Sequence, residues 1–319
     1  MLREKIGHHS HEILLGVALI VVTIGVDLLR PQFLSPANLQ SLLINGSVLA
    51  MVSAGMTLVI LLAGIDISVG AVMGLVSLFI GWGLLGHWPL LLIALVAVLS
   101  GAMFGAINGG IIYLGHVSPI VATLGTMSIW EAAIFALLHG EWLSGLPAKF
   151  GPLVVGGVAG VPNIAWIILV IYGAMSVVLT KTDFGRRLYA IGNNGEAARL
   201  MGIPIKRTGF WAYVVVGVIV GLAAIVYTTI NGNVENQVGA NLPLTAIAAV
   251  VLGGVDILGG AGSIWGVLMG VAFIVVLENA TVLLGIPALY DQAVVGAIIL
   301  VAVLTNSVRR GRQNYRSMP

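Results

Sequence analysis

The chain has no cysteine among its 319 residues, and only 14 basic and 12 acidic side chains, 8% of the whole. The first absence excludes disulfides and thiol chemistry and identifies no compartment. The second excludes a water-soluble surface, because a soluble domain carries roughly 25% charged residues. Charge is missing altogether from Pro31–Ile65, Ile67–Trp130, Phe150–Thr180 and Thr208–Val234. The groupings that enzymes need are missing too: there is no Ser/His/Asp set, no His-Glu-x-x-His and no Cys cluster. "GGVDILGGAGS" lacks the Lys-Ser/Thr pair that completes a P-loop, so no nucleotide site is expected in this chain. These residues call for no catalytic role, no cofactor, no metal and no nucleic-acid partner. "HHSH" (His8–His11) has metal-binding side chains but reads more simply as a solvated tail.

What is present is apolar length. Hydrophobic residues make up 59% of the sequence, and the uncharged runs exceed the roughly 20 residues that cross a bilayer as a helix. Long Leu/Val/Ile/Gly runs without strict alternation favour helices over a β-barrel. The expected fold is therefore an all-α polytopic membrane protein of about ten transmembrane helices. They are Glu12–Leu29, Leu39–Leu62, Ser68–Leu85, Pro89–Leu114, Pro119–Leu138, Asn163–Thr180, Gly209–Ile230, Leu242–Val255, Ser263–Leu284 and Ala288–Thr305. Residues 1–319 then form a single transmembrane domain, with one polar segment, 181–207, inside it. The first run ends in "DLLRPQF", with no small-residue cleavage site, so it is expected to be an uncleaved span.

The basic residues orient these helices. All Lys and Arg except Arg30 and Lys149 fall into three clusters: Arg3 and Lys5; six residues between Lys181 and Arg207; and Arg309, Arg310, Arg312 and Arg316. Basic clusters mark the cytoplasmic side. Six spans precede the central cluster and four follow it, so an even number separates each pair, and both termini and the central loop face the cytoplasm. On the outside lie "GEWLSGLPAKFGPLVVGGVAGVP" (Gly140–Pro162) and "NGNVENQVGAN" (Asn231–Asn241), too short to fold alone. Their polar residues Glu141, Trp142, Lys149, Asn233 and Glu235 are candidates to dock an external partner.

"LLAGIDISVGAVMG" and "VLGGVDILGGAGSIWGVLMG" share a pattern of glycines around an apolar-Asp-Ile core. Gly64, Asp66 and Gly70 in the first answer to Gly254, Asp256, Gly259 and Gly260 in the second. Glycine permits a helix to break and Asp caps the next helix. Interrupted hydrophobic segments in corresponding places mark transport paths; tight connections between packed helices would use the same residues. Within the spans, Asn45, Ser47, Asn108, Thr123 and Thr126 are polar groups able to line a path, or to hydrogen-bond between helices. Asp27, Glu131 and Glu278 lie in or beside spans, where a charge at the bilayer centre costs about 2.5–3.5 kcal/mol on insertion scales; the alternatives are the outer interface for Asp27 and Glu131 and a helix–helix hydrogen bond for Glu278. No membrane Lys, Arg or His matches them, which weakens a proton- or sodium-coupled carrier.

The central segment collects eight charged residues between Lys181 and Arg207. "NNG" (Asn193–Gly195) is a helix-start signal. Glu196–Gly202 follows as a short helix whose face carries Ala197, Leu200 and Met201 at i, i+3 and i+4, with Pro204 ending it. Such a helix is a handle for another protein, or else lies flat on the membrane.

"TDFGRRLYAIGNNGEAARLMGIPIKR" resembles the cytoplasmic loop of the inner-membrane permease subunits of bacterial ABC importers for sugars. "GMTLVILLAGIDISVGAVMGL" (Gly55–Leu75) and "AVVLGGVDILGGAGSIWGVLMG" (Ala249–Gly270) resemble the same ribose-type family. "GEWLSGLPAKFGPL" and "IPALYDQAVVGAIIL" (Ile286–Leu300) are most similar to its autoinducer 2 branch, with rhamnose and ribose branches close. The resemblance implies an ABC-importer permease fold and a bacterial inner-membrane subunit that is not itself an enzyme. The implied partners are two cytoplasmic ATPase subunits, a second permease (identical or homologous), an external substrate-binding protein and membrane lipid. It also implies that Asp183, Gly185, Arg186, Arg187, Glu196, Ala197, Arg199, Leu200, Met201 and Gly202 couple to the ATPase. The alternative is an ion-coupled carrier that works alone.

Overall fold

The structure, a computed structural model, describes residues 2–158 and 160–287, with Tyr290, Ala293, Gly296 and Ala297 beyond. The expected tenth span, Ala288–Thr305, and the C-terminal basic cluster lie outside the continuously described residues. Twelve helices occur among those described. The long apolar ones are α1 (Leu2–Leu29), α2 (Pro36–Leu61), α3 (Val69–Leu85), α4 (Leu90–Tyr113) and α5 (Pro119–Leu138). After a short turn, α6 (Gly151–Val154), come α7 (Asn163–Lys181), the polar pair α8 (Asp183–Asn193) and α9 (Gly195–Leu200), then α10 (Ile205–Asn231), α11 (Leu242–Leu252) and α12 (Ile264–Leu283). Four two-residue strands complete the set: β1 (Leu143–Ser144), β2 (Gly157–Val158), β3 (Val161–Pro162) and β4 (Asn233–Val234).

Nine apolar helices coincide with the first nine expected spans, and seven are long and apolar enough to cross a membrane. The other two are short. α11 has 11 residues, about 17 Å at 1.5 Å per residue, against a hydrocarbon core of about 30 Å. α3 has 17 residues. Both meet a glycine-rich break at the same end of the molecule. α1 begins earlier than expected, because the helix continues backward through His8–His11 and has no separate polar tail there.

The core is α2 and α10, buried along most of their length, with α3, α4 and α11 around them. α4 and α10 approach closely. A Cβ at Gly105 would stand 2.2 Å from the Tyr213 carbonyl oxygen, and one at Gly217 would stand 2.1 Å from that of Gly101. Gly101 and Gly105 on α4, and Gly217 and Gly221 on α10, each form a Gly-x-x-x-Gly face. Lipid tails are as apolar as leucine, so spans gain little from merely hiding apolar surface from lipid; close backbone contact and dispersion hold them. Gly173 on α7, by contrast, has nothing within 4 Å of where a Cβ would stand.

That contrast gives a test. Gly217→Ala forces a methyl into backbone and is expected to cost about 1–3 kcal/mol, lowering the thermal unfolding midpoint in detergent. Gly173→Ala is expected to leave it unchanged or slightly raised, since Ala is the better helix former. Equal midpoints for the two variants would contradict this packing.

Candidate functional site

Two constellations stand at opposite ends of the molecule. At the first, the turn after α2, the turn after α11 and α8 meet backbone to backbone. The Gly260 N–H donates to the Leu61 carbonyl at 3.0 Å. A Cβ on Gly192 would come within 1.8 Å of that same oxygen and 2.4 Å of the Gly260 nitrogen. One on Gly260 would come within 2.4 Å of the Asn193 nitrogen. The Tyr189 hydroxyl donates to the Gly262 carbonyl at 3.0 Å. One short helix, α8, thus touches both glycine-rich breaks at once.

The breaks are built differently. In the second, Gly254, Gly259 and Gly260 all adopt positive φ, at 89°, 86° and 76°. In the first, the left-handed residue is Ala63 at φ 59°, not a glycine. Gly64 instead admits close neighbours: a Cβ there would lie 3.2 Å from the Tyr213 hydroxyl. Gly70 lies just inside α3, where a Cβ would stand 2.2 Å from the Gly239 carbonyl oxygen.

The paired aspartates differ as well. Asp66 is buried, and its Oδ1 accepts from the Ser68 N–H at 2.9 Å and the Ser68 hydroxyl at 2.7 Å. Ser68 Oγ accepts from Asn108 Nδ2 at 2.7 Å, and Asn108 Oδ1 accepts from the Thr126 hydroxyl at 2.8 Å. Thr123 Oγ1 sits 3.3 Å from both the Ile67 nitrogen and the Ile65 carbonyl. An ordered chain of donors therefore runs from α5 through α4 to the break, and in a low-dielectric interior such chains strengthen one another. Asp256 is half-exposed and accepts from the Leu258 N–H at 3.0 Å within its own turn.

Of the five polar residues expected to line a path, the structure joins three, Asn108, Thr123 and Thr126, around the first break. It does not bring Asn45 or Ser47 there. Asn45 is exposed, and buried Ser47 donates to the Ile44 carbonyl at 2.5 Å on its own helix.

The charged segment forms two helices where the sequence predicts one. Thr182 caps α8 by accepting from the Gly185 N–H at 3.2 Å. Leu188 and Ile191 bury one face while Arg186, paired with Asp183, stays exposed. Asn194 caps α9, accepting from the Ala197 N–H at 2.9 Å. On α9, Arg199 bonds Glu196 at 2.6 Å and holds that carboxyl below its usual pKa. Ala198, not Ala197, turns inward, and Gly202 closes the turn at φ 76°. Leu200 and Met201 are 76% and 82% exposed, two large apolar side chains projecting beside ion pairs. Lys206 lies 3.1 Å from His116, at the same end. Sequence reasoning missed α8, Ser68 and Tyr189. The Thr-Asp-x-Gly start at Thr182 and the i, i+3 pair Leu188 and Ile191 are the signals that mark α8.

At the opposite end β1 pairs antiparallel with β4, Leu143 facing Val234 and Ser144 facing Asn233. Asn236 donates to the Gly140 carbonyl at 3.2 Å and the Leu146 N–H to that of Gly232 at 3.1 Å. These bonds tie Glu141 and Trp142 to Asn233 and Glu235 in one cap, with Trp142 61% exposed. Lys149 lies further along, next to α6. A hairpin, β2 with β3, sits on the same side, where Gln40 donates to the Gly160 carbonyl at 2.9 Å. No group of three or more metal-ligating side chains occurs among the described residues.

The donor chain is testable by replacing its middle member. Asn108→Leu keeps the branched shape but adds volume and removes both of its hydrogen bonds, to Ser68 and Thr126, and is expected to cost about 1–3 kcal/mol. Asn45→Leu at the exposed site should cost far less. Thermal unfolding in detergent reads both, and equal stability of Asn108→Leu with the parent would show that the chain contributes nothing.

The model of a family described as "Branched-chain amino acid transport system / permease component" matches residues 38–303. The autoinducer 2 import system permease protein LsrC of Escherichia coli (strain K12 / DH10B) is 33% identical over 300 residues, covering 94% of this chain and 87% of that protein. LsrC of Yersinia enterocolitica is 34% identical over 288 residues, covering 89% and 80% of the two chains. LsrC of Photorhabdus laumondii is 31% identical over 300 residues, covering 94% and 90%. No solved structure matches.

Proposed function

This chain belongs to the permease-component family of branched-chain amino acid transport systems, and we propose that it forms half of the membrane path of an importer for a small sugar-like solute. It is a transport subunit of the ABC type, not an enzyme. Autoinducer 2, which the names of its relatives specify, is the first candidate cargo, ahead of rhamnose and ribose. The observation that carries the reading is the junction of Leu61, Gly192 and Gly260, where one polar helix bears on both interrupted spans.

The proposed topology has about ten spans in a single domain, 1–319, with both termini and segment 181–207 in the cytoplasm. The contacts support alternating helices: Leu61, Gly260, Asn193, Lys206 and His116 gather at one end, and Gly140, Asn233, Gly160 and Gln40 at the other. In this orientation α8 and α9 face the cytoplasm. The protruding Leu200 and Met201, with the rim of Asp183, Arg186, Arg187, Glu196 and Arg199, seat in a cytoplasmic ATPase subunit. Gly185 and Gly202 shape the two helices, and Ala197 borders the seat.

Force applied to α9 passes through α8 to the two breaks without a flexible intermediary. Backbone-to-backbone contact leaves no side chain to yield, and packed interfaces switch between discrete arrangements more readily than they deform. Asp66 keeps the first break attached to α4 and α5, so displacing it shifts the inner halves of those helices. The path itself lies between this chain and a second permease, with lipid around the pair. An importer fed by a binding protein needs little affinity of its own. Asn108, Thr123 and Thr126 therefore act as pins below the path, and exposed Asn45 remains a candidate to touch solute, whereas Ser47 is buried. At the opposite end, the cap tied by β1 and β4 receives the binding protein.

Two tests follow from the two ends. Leu200→Asp or Met201→Asp should abolish seating: losing an anchor at a buried interface is worth about 2 kcal/mol or more, about 30-fold in affinity. Uptake should fall by that order while the spans still insert, and normal uptake by either variant would overturn the seat. At the cap, Glu141→Lys, Lys149→Glu and Glu235→Lys should each lower the binding protein's stimulation of ATP hydrolysis. Unchanged stimulation in all three would place docking elsewhere.

A further inference from the structure

Helix α5 carries a carboxylate on an exposed side that otherwise holds apolar residues such as Val121, Leu124, Ile129 and Phe135. Leu124, Ser128, Glu131 and Phe135 follow one another at i, i+4, i+7 and i+11, and all are exposed. Gly125 and Ala132, exposed beside them, narrow the helix along the same side. Gly125 has nothing within 4 Å of where its Cβ would stand. Glu131 lies about 18 Å along the helix axis from Pro119 and about 10 Å from Leu138, at 1.5 Å per residue. It is therefore inside the apolar length and away from either end. It has no hydrogen-bond or ion-pair partner among the described residues.

The other peripheral helices look different. On α4 the exposed side is Leu91, Leu95, Leu99, Met103 and Ile107, and on α1 it is Leu14, Val17, Val21, Ile24 and Leu28. Those faces suit hydrocarbon. A mid-span carboxylate does not, and such groups face a bundle interior or a water-filled cavity. The interior is closed to Glu131, because α5 turns Thr123, Thr126 and Ile134 toward α3 and α4.

Resting on the proposed importer function, we infer that the Ser128–Glu131 face of α5 borders the aqueous path and that Glu131 is a specificity-determining residue for a polyhydroxylated, uncharged solute. A carboxylate accepts two or more hydrogen bonds from neighbouring hydroxyls in bidentate fashion and repels anions. The side chain sits on the outer half of α5, where solute released at the cap would pass first. Ser128, about one turn deeper, donates its hydroxyl to the Leu124 carbonyl at 3.2 Å and offers that oxygen as an acceptor to follow. This assigns contact with solute to a different face of α5 from the one that holds Thr123 and Thr126.

The absence of cysteine makes the test direct. Ser128→Cys and Glu131→Cys, with Leu95→Cys and Leu99→Cys on α4 as lipid-facing controls, are made singly in the complete transporter with its ATPase and binding protein. A small charged methanethiosulfonate reagent is applied with and without trapped nucleotide. The α5 thiols should react at least about tenfold faster than the controls in one or both states, since hydrocarbon excludes the reagent. Equally slow reaction at both α5 sites in both states would overturn the placement. Glu131→Gln should lower uptake about tenfold, the worth of a hydrogen bond to a charge, while Glu131→Asp retains most of it and ATP hydrolysis stays responsive to the binding protein. Full uptake by Glu131→Gln would overturn the specificity role. Failure of the unmodified transporter to import autoinducer 2, ribose or rhamnose would instead count against the importer reading, and the labelling would still decide whether α5 faces water.

Discussion

The carbonyl oxygen of Leu61 receives the N–H of Gly260, and Gly192 of α8 closes over both with no room for a side chain. The contact couples three segments far apart in sequence. One is the end of the most deeply buried helix, one the turn after a helix too short to cross a bilayer, and one a polar helix rich in exposed charge. A single hydrogen bond of this kind contributes only about 1 kcal/mol to stability. Its consequence is geometric: the polar helix cannot shift without moving both turns.

The same constraint of close backbone approach organises the membrane-embedded part. α4 lies on α10 through glycines at i and i+4 on each helix, and α11 lies on α12 through Gly253, Gly266 and Gly270. Polar side chains then fix register. The Asp66–Ser68–Asn108–Thr126 chain links three helices and the break, and Asn38 and Asn279 exchange reciprocal bonds at 2.9 and 3.0 Å near the opposite end. A core of this design tolerates little added volume, yet its short helices leave room for discrete rearrangement. A protein that must alternate between two forms needs both properties.

Most of the helical inventory was legible in the sequence because charge-free length is a strong signal. Leu39–Leu62 and Pro119–Leu138 were expected, and Pro36–Leu61 and Pro119–Leu138 are found. α8 was not legible. Gly185 and Gly192 fall within it, and the Val178, Leu179 and Leu61 carbonyls beside them explain why glycine stands there. Likewise the first break suggested Gly64 as its hinge, whereas Ala63 takes the left-handed conformation and Gly64 makes room beside Val59 and Tyr213. Asn108, Thr123 and Thr126 were recognisable as polar groups in apolar helices. Their partners lie 40 to 58 residues away in sequence, or 18 between Asn108 and Thr126, and no periodicity reveals such pairings. Glu131 was visible as a carboxylate in or beside a span, with the outer interface as one reading; its place within α5 and the way it faces depend on how that helix forms and packs.

The energy source is the point on which the functional account stands. The chain carries no nucleotide-binding motif, and its family places it as the permease component of a larger system. The most direct measurement reconstitutes the chain with its ATPase and binding protein in proteoliposomes, supplies radiolabelled autoinducer 2 on the binding-protein side, and varies ATP and ionophores independently. The expected result is accumulation that requires ATP on the ATPase side and persists when ionophores abolish every ion gradient. Accumulation by the chain alone, without ATP and driven by an imposed proton or sodium gradient, would contradict it.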